Sequence, residues 1–137
     1  MTDLVDILVV EDNPQDAEQI RHALREDKSL GQIAVARDGV EALAFLFGKG
    51  AWANFRLRAL PKVIFLDLKL PRLSGLEVLK RLRLDARTRG IPVMVLISSR
   101  DERALLASYR LGASSHLFKS ADADRFAETV RAAGRRR

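Results

Sequence analysis

Val63-Ile64-Phe65-Leu66-Asp67-Leu68-Lys69-Leu70-Pro71 decides how the chain folds. Four apolar residues in succession suit a buried strand, and the run stops at a carboxylate. In open α/β sheets, ligands bind just beyond the carboxyl ends of such strands. The pair Glu11-Asp12 ends an earlier run, Ile7-Leu8-Val9-Val10, in the same way. If the two strands are parallel neighbours, three carboxylates share one rim. Groups so placed repel each other unless a hard cation lies among them, and Mg²⁺ suits a few oxygen ligands plus water.

Working outward, apolar runs alternate with stretches of 3.6-residue period five times, the pattern of a parallel sheet covered by helices. Strands are expected near Val5–Val10, Ile33–Ala36, Val63–Leu66, Pro92–Ile97 and His116–Phe118. The intervening helices carry apolar stripes, each expected to face the core: Ala17, Ile20 and Leu24; Val40, Leu43 and Phe47; Leu76, Leu79 and Leu82; Leu105, Leu106 and Tyr109; Phe126, Val130 and Ala133. Asn13-Pro14 suits the start of the first helix, a polar cap before a proline, and Ser74-Gly75 opens the third. Gly48 to Pro61, with Gly50, Trp52, Phe55 and Arg56, exceeds the usual connection of about 4–6 residues and reads as an insertion. Its aromatics are expected to fold back onto the domain.

Composition narrows the class. A chain of 137 residues suits one domain, with a core over about 4–134, a basic tail at 135–137 and no output domain. A net charge of +6 invites a nucleic-acid reading, but the basic residues are scattered and only Arg135-Arg136-Arg137 clusters. Without cysteine there is neither a disulfide framework nor a thiolate site, which fits a reducing cytoplasm. Met1-Thr2-Asp3-Leu4 opens no signal peptide, and no apolar run approaches the roughly 18 residues of a membrane span.

Acidic residues after strands often do no more than cap helices, and Asp12 could do so here. Lys119 sharpens the case, because it follows the last strand and so reaches the same edge as the carboxylates. Val9-Val10-Glu11-Asp12-Asn13, Phe65 to Pro71 with Gly75, and Leu117-Phe118-Lys119 together resemble the receiver domain of two-component response regulators, the CheY-like, flavodoxin-like fold. That resemblance implies a doubly wound (βα)₅ domain with a five-stranded parallel sheet ordered 2-1-3-4-5. The insertion, the Ser108-Tyr109 pair and Lys119-Ser120 resemble more narrowly the single-domain regulators that partner phytochrome histidine kinases.

The resemblance implies a signalling protein rather than an enzyme. Asp67 would be the phosphoacceptor and nucleophile, receiving a phosphoryl group from a kinase phosphohistidine. Glu11, Asp12, Asp67 and the backbone carbonyl of Lys69 would hold Mg²⁺, and Lys119 would pair with the phosphoryl oxygens. The signal would leave through the face of the fourth helix, fifth strand and fifth helix, the surface of an expected homodimer. Nucleic acid and membrane are not expected partners.

One family residue is replaced. Receivers carry Thr or Ser thirty residues after the acceptor and twenty-two before the lysine, and both counts fall on Ile97. Ser98 would take over the phosphate contact only through a local backbone shift. The aromatic of the usual switch falls at His116, for which a surface histidine on an edge strand is an equal reading. Two rivals follow: a phosphorylation-independent interaction module whose switch Ile97 has weakened, and an α/β nucleotide-binding enzyme. The second is disfavoured because Glu11-Asp12-Asn13-Pro14, and no glycine-rich phosphate loop, follows the first strand.

Overall fold

A computed structural model describes residues 5–48, 60–97, 102–119 and 123–135. Five parallel strands, β1 (Ile7–Val10), β2 (Ile33–Ala36), β3 (Val63–Asp67), β4 (Val93–Ile97) and β5 (Ser115–Phe118), form one sheet in the order β2-β1-β3-β4-β5. Among the described residues five α-helices connect and follow them: α1 (Pro14–Arg25), α2 (Gly39–Phe47), α3 (Gly75–Leu84), α4 (Glu102–Arg110) and α5 (Ala123–Arg135). Each expected strand is present to within two residues at either end. The fold is the doubly wound α/β sheet that the sequence implied.

Strand residues alternate between faces, and the core divides accordingly. Ile7, Val9, Val63, Phe65, Met94, Leu96 and Leu117 pack with Ile20, Ala23 and Leu24 of α1 and Val130 of α5. Leu8, Val10, Ile64, Leu66, Val93, Val95 and Ile97 pack on the other face with Ala42, Phe45 and Leu46 of α2 and Val78, Leu79 and Leu82 of α3. Truncating any one of these leucines to alanine would cost about 2–5 kcal/mol by loss of transfer energy and creation of a cavity.

Local sequence sets the helix ends as expected. The Asn13 side chain accepts from the N–H groups of Gln15 and Asp16 before Pro14 begins α1, so the cap is Asn13 and not Asp12. Ser74 caps α3 in the same manner. α2 ends on Gly48, whose left-handed conformation (φ 66°) closes the last turn without the steric cost that a Cβ would add.

Two apolar stripes differ from expectation. In α2 the buried side is Ala42, Phe45 and Leu46, while Val40 is exposed and Leu43 and Phe47 are half-buried. That helix is apolar almost all round, so periodicity alone could not select its inner face. The outer three residues line a groove of about 890 Å³ with Leu73 and Leu84. In α4, Leu106 and Tyr109 are exposed and Ser108 is fully buried, its hydroxyl donating to the Leu105 carbonyl at 2.7 Å. A hydroxyl so satisfied can replace an apolar side chain in the core. Val130 of the fifth stripe is buried; the side chains of Phe126 and Ala133, and the insertion residues Gly50, Trp52, Phe55 and Arg56, lie outside the described residues.

Candidate functional site

The same alternation explains how distant residues meet at the rim. Ile7 and Val9 point to the α1–α5 side, and Glu11 is next in that series. Val63 and Phe65 lead likewise to Asp67, and Leu117 to Lys119. Parallel pairing sets Val10 beside Leu66 and Asp67 beside Leu96, so the three strand ends stay level. The Lys119 N–H donates to the Ile97 carbonyl at 2.9 Å, which fixes the lysine backbone at the end of β4.

Lys119 Nζ lies 2.7 Å from Glu11 Oε1, 2.9 Å from Asp67 Oδ2 and 3.1 Å from Asp16 Oδ2. The Asp67 and Asp16 contacts are aligned hydrogen bonds. Glu11 Oε1 is buried with the ammonium as charge partner but without an aligned hydrogen bond. The second Glu11 oxygen accepts from the Asn13 N–H at 3.2 Å, and Asp67 Oδ1 accepts from the Lys69 N–H at 2.9 Å. Both loops that leave the strands are thereby folded back over their own carboxylates. Gly75 allows the closest packing: a Cβ there would sit 2.3 Å from the Asp67 carbonyl oxygen, so any side chain would push α3 off the end of β3.

Electrostatics follow from burial. Glu11 is fully buried, and desolvation, reinforced by the neighbouring Asp67 carboxyl, pushes its pKa up to about 8 against the pull of Lys119. Burial would lower the Lys119 pKa, but its contacts with Glu11 and Asp67 outweigh that and raise it above the ordinary lysine value. The ammonium is therefore charged at any physiological pH.

Carboxylate oxygens of Glu11, Asp12 and Asp67 lie within 4.8 Å of one another, with Asp12 on the solvent side. An all-oxygen set with one exposed member and one buried oxygen lacking an aligned donor fits a hard divalent cation that keeps part of its water. Lys69 has an exposed side chain and meets the site through its backbone.

The remaining expected residues divide. Ile97 is almost fully buried on the α2–α3 face, away from the carboxylates, and Ser98 lies outside the described residues. His116 is half-buried on β5, an edge strand, with Nδ1 2.5 Å from the Tyr109 hydroxyl and its ring edge-on to Phe118. Asp16 escaped the sequence reading. The signal was present, because the period that buries Ile20 and Leu24 also places Asp16 one turn above them, over the strand ends.

Comparison with known proteins matches this sequence and architecture to one family. Residues 7–131 match the response regulator receiver domain. The chain is 36% identical over 114 residues to response regulator Rcp1 of Synechocystis sp., an alignment spanning 83% of this chain and 76% of that one. A Mn²⁺-bound form of Rcp1 superposes with a TM-score of 0.83 at 32% identity, covering 93% of this chain and 90% of that one. The phosphorylated cyanobacterial phytochrome response regulator RcpA gives 0.85 at 35% identity, covering 94% and 90%. The bacteriophytochrome response regulator AtBRR gives 0.77 at 40% identity, covering 94% and 93%. With that extent of agreement in sequence and topology, the chain belongs to the receiver domains of two-component response regulators, among those related to phytochrome response regulators.

Proposed function

We propose that this receiver accepts a phosphoryl group on Asp67 from the phosphohistidine of a cytoplasmic sensor histidine kinase, a bacteriophytochrome by the kinship of its relatives, and signals through protein contacts. The observation that carries the reading is the buried Asp67 carboxylate at a strand end, with one oxygen on Lys119 and the other on the Lys69 N–H. Those contacts fix the nucleophile's direction before any donor arrives.

An Asp67 oxygen attacks phosphorus as the phosphorus–nitrogen bond of the donor breaks, and the electron pair leaves on the imidazole, which is protonated. Lys119, already 2.9 Å from Asp67, is within reach of the new phosphoryl oxygens. Glu11, Asp12, Asp67 and the Lys69 carbonyl would hold Mg²⁺, which supplies positive charge against the charge on the transferring group. A manganese-bound Rcp1 and a phosphorylated RcpA support both parts of this reading.

The output face is built by α4 and β5, where Leu106, Tyr109 and Phe118 are exposed around His116, which stands at the switch position. An apolar face of this kind suits a homodimer contact with α5 alongside. The burial of Ile97, which offers no hydroxyl to a phosphoryl group, favours a second reading in which the face acts without phosphorylation.

Intact mass after incubation with acetyl phosphate and Mg²⁺ separates the two. The wild type is expected to gain one acid-labile phosphate and Asp67→Asn none, with unchanged far-ultraviolet circular dichroism. Equal labelling of both proteins, or of neither, would remove Asp67 from the mechanism.

A further inference from the structure

We infer that Asp16 is a positioning residue for Lys119, holding the ammonium beside the rim when a divalent cation occupies the carboxylates; this rests on the metal-dependent receiver reading above. The Lys119 ammonium donates hydrogen bonds to Asp67 and Asp16 and pairs by charge with Glu11. Two of those partners, Glu11 and Asp67, also belong to the carboxylate cluster suited to a cation. Ammonium and cation therefore compete for the same two carboxylates. Asp16 stands outside that cluster and on another element, α1, so among the described partners of Lys119 its bond is the one a cation leaves in place.

Its placement suits that role. The Asp16 N–H donates to the Asn13 cap at 3.0 Å, which fixes its backbone in the first turn of α1, where a negative charge is also favoured by the helix dipole. The side chain is about one-third exposed, against near-complete burial for Glu11 and Asp67. Lys119 can thus withdraw toward the solvent side without losing every charged partner. Without Asp16 the ammonium would rest wholly on Glu11 and Asp67 and oppose the cation more strongly.

Removing the Asp16 charge should weaken Mg²⁺ binding although Asp16 is not a ligand, and the loss should depend on Lys119. The test is a calorimetric Mg²⁺ titration of the full chain as wild type, Asp16→Asn, Lys119→Met and the double variant, in one buffer near physiological ionic strength. Asp16→Asn is expected to raise the Mg²⁺ Kd about threefold to tenfold, as befits a partly screened ion pair. In the Lys119→Met background the same substitution should change it by less than about twofold. Asp16→Glu should recover part of the loss, and Asp16→Ser repeats the test should the asparagine variant lose its fold by thermal melting.

Unchanged Kd in both Asp16 variants would overturn the inference while leaving the receiver reading intact. So would a loss of equal size with and without Lys119, since the charge would then act on the cation directly. Failure of the wild type to bind Mg²⁺ would instead overturn the metal-dependent reading, and this inference with it.

Discussion

The rim and the α4–β5 surface invert the ordinary partition of residues in opposite senses, and one strand of four residues serves both. At the rim, the ionisable side chains of Glu11 and Asp67 are buried and that of Lys119 is largely shielded from solvent. A few ångströms along β5, Phe118 is 45% exposed, and Leu106 and Tyr109 of α4 are also exposed. Alternation along β5 makes the division: Leu117 and Lys119 turn toward α1, while His116 and Phe118 turn toward α4. The rim compensates its buried charge internally, by ion pairs. Among the described residues the surface holds the Tyr109–His116 hydrogen bond and edge-to-face rings, and its apolar area is left open. Charge at the rim is balanced within the molecule, whereas the apolar area of the α4–β5 surface is not covered by it. Because the Lys119 N–H binds the Ile97 carbonyl and Ile97 pairs with Phe118, a pull on the lysine reaches the surface within one residue.

The largest effect should come from breaking the internal compensation. Lys119→Met leaves Glu11 and Asp67 buried without their cation, and loss of one partner of a buried pair costs about 3–5 kcal/mol. Chemical denaturation at pH 8 is expected to show a loss of that order, with Glu11→Gln recovering a part in the double variant. A loss below about 1 kcal/mol would mean that water already screens the rim as it does a surface pair. Leu106→Ala on the other region should leave monomer stability nearly unchanged, since its side chain is already solvated.

A smaller and graded effect concerns pH. Glu11 binds its proton more tightly in the folded state than in the unfolded chain, so it remains protonated where the unfolded chain has already released that proton. Its contribution to stability therefore falls as pH rises from the ordinary 4.5 to about 8, then levels. A cation held by Glu11 would require the ionised form and would expel that proton. Mg²⁺ affinity should rise with pH by up to about tenfold per unit below 8 and flatten above it, with proton release visible as a buffer-dependent calorimetric heat. A flat profile between pH 6 and 8 would show Glu11 already ionised, held so by Lys119.

What was legible in the sequence follows from the same contrast. Strands buried on both faces declare themselves as apolar runs, and a carboxylate at the end of such a run stands out, so Glu11, Asp67 and the sheet could be read directly. Lys119 needed only the position of the last strand. Asp16 was harder, because a helix residue joins a site through its rotation about the axis rather than its place in a motif. The outward faces of α2 and α4 were misread for a related reason. Where apolar residues surround a helix, as in Gly39–Phe47, or where a satisfied serine takes a core position, as at Ser108, tertiary packing and not periodicity chooses the inner side.

The smallest expected effect tests whether the two regions communicate, and Ile97 is where to look. Its side chain is buried on the face opposite the carboxylates, while its carbonyl holds Lys119 and its register partner is Phe118. With no hydroxyl at this position, a phosphoryl group makes one fewer contact that could differ between resting and active states. A ligand shifts an equilibrium only by its differential affinity for the two. If phosphorylation turns this side chain from the α2–α3 face to the rim, Ile97→Thr would add a hydrogen bond to a charged group worth about 1.5–3 kcal/mol. Against this stands any packing of the isoleucine that is made in the active state and lost on substitution, up to about 0.5–1.5 kcal/mol for shortening to a valine-sized chain. The net gain in coupling should be about 1 kcal/mol, a roughly fivefold larger increase in self-association on adding beryllium fluoride and Mg²⁺. Sedimentation of wild type and variant, each with and without the phosphoryl mimic, measures it. If both show the same mimic-induced shift, the path from Lys119 to Phe118 works through the backbone alone and a side-chain hydroxyl at this position is not needed.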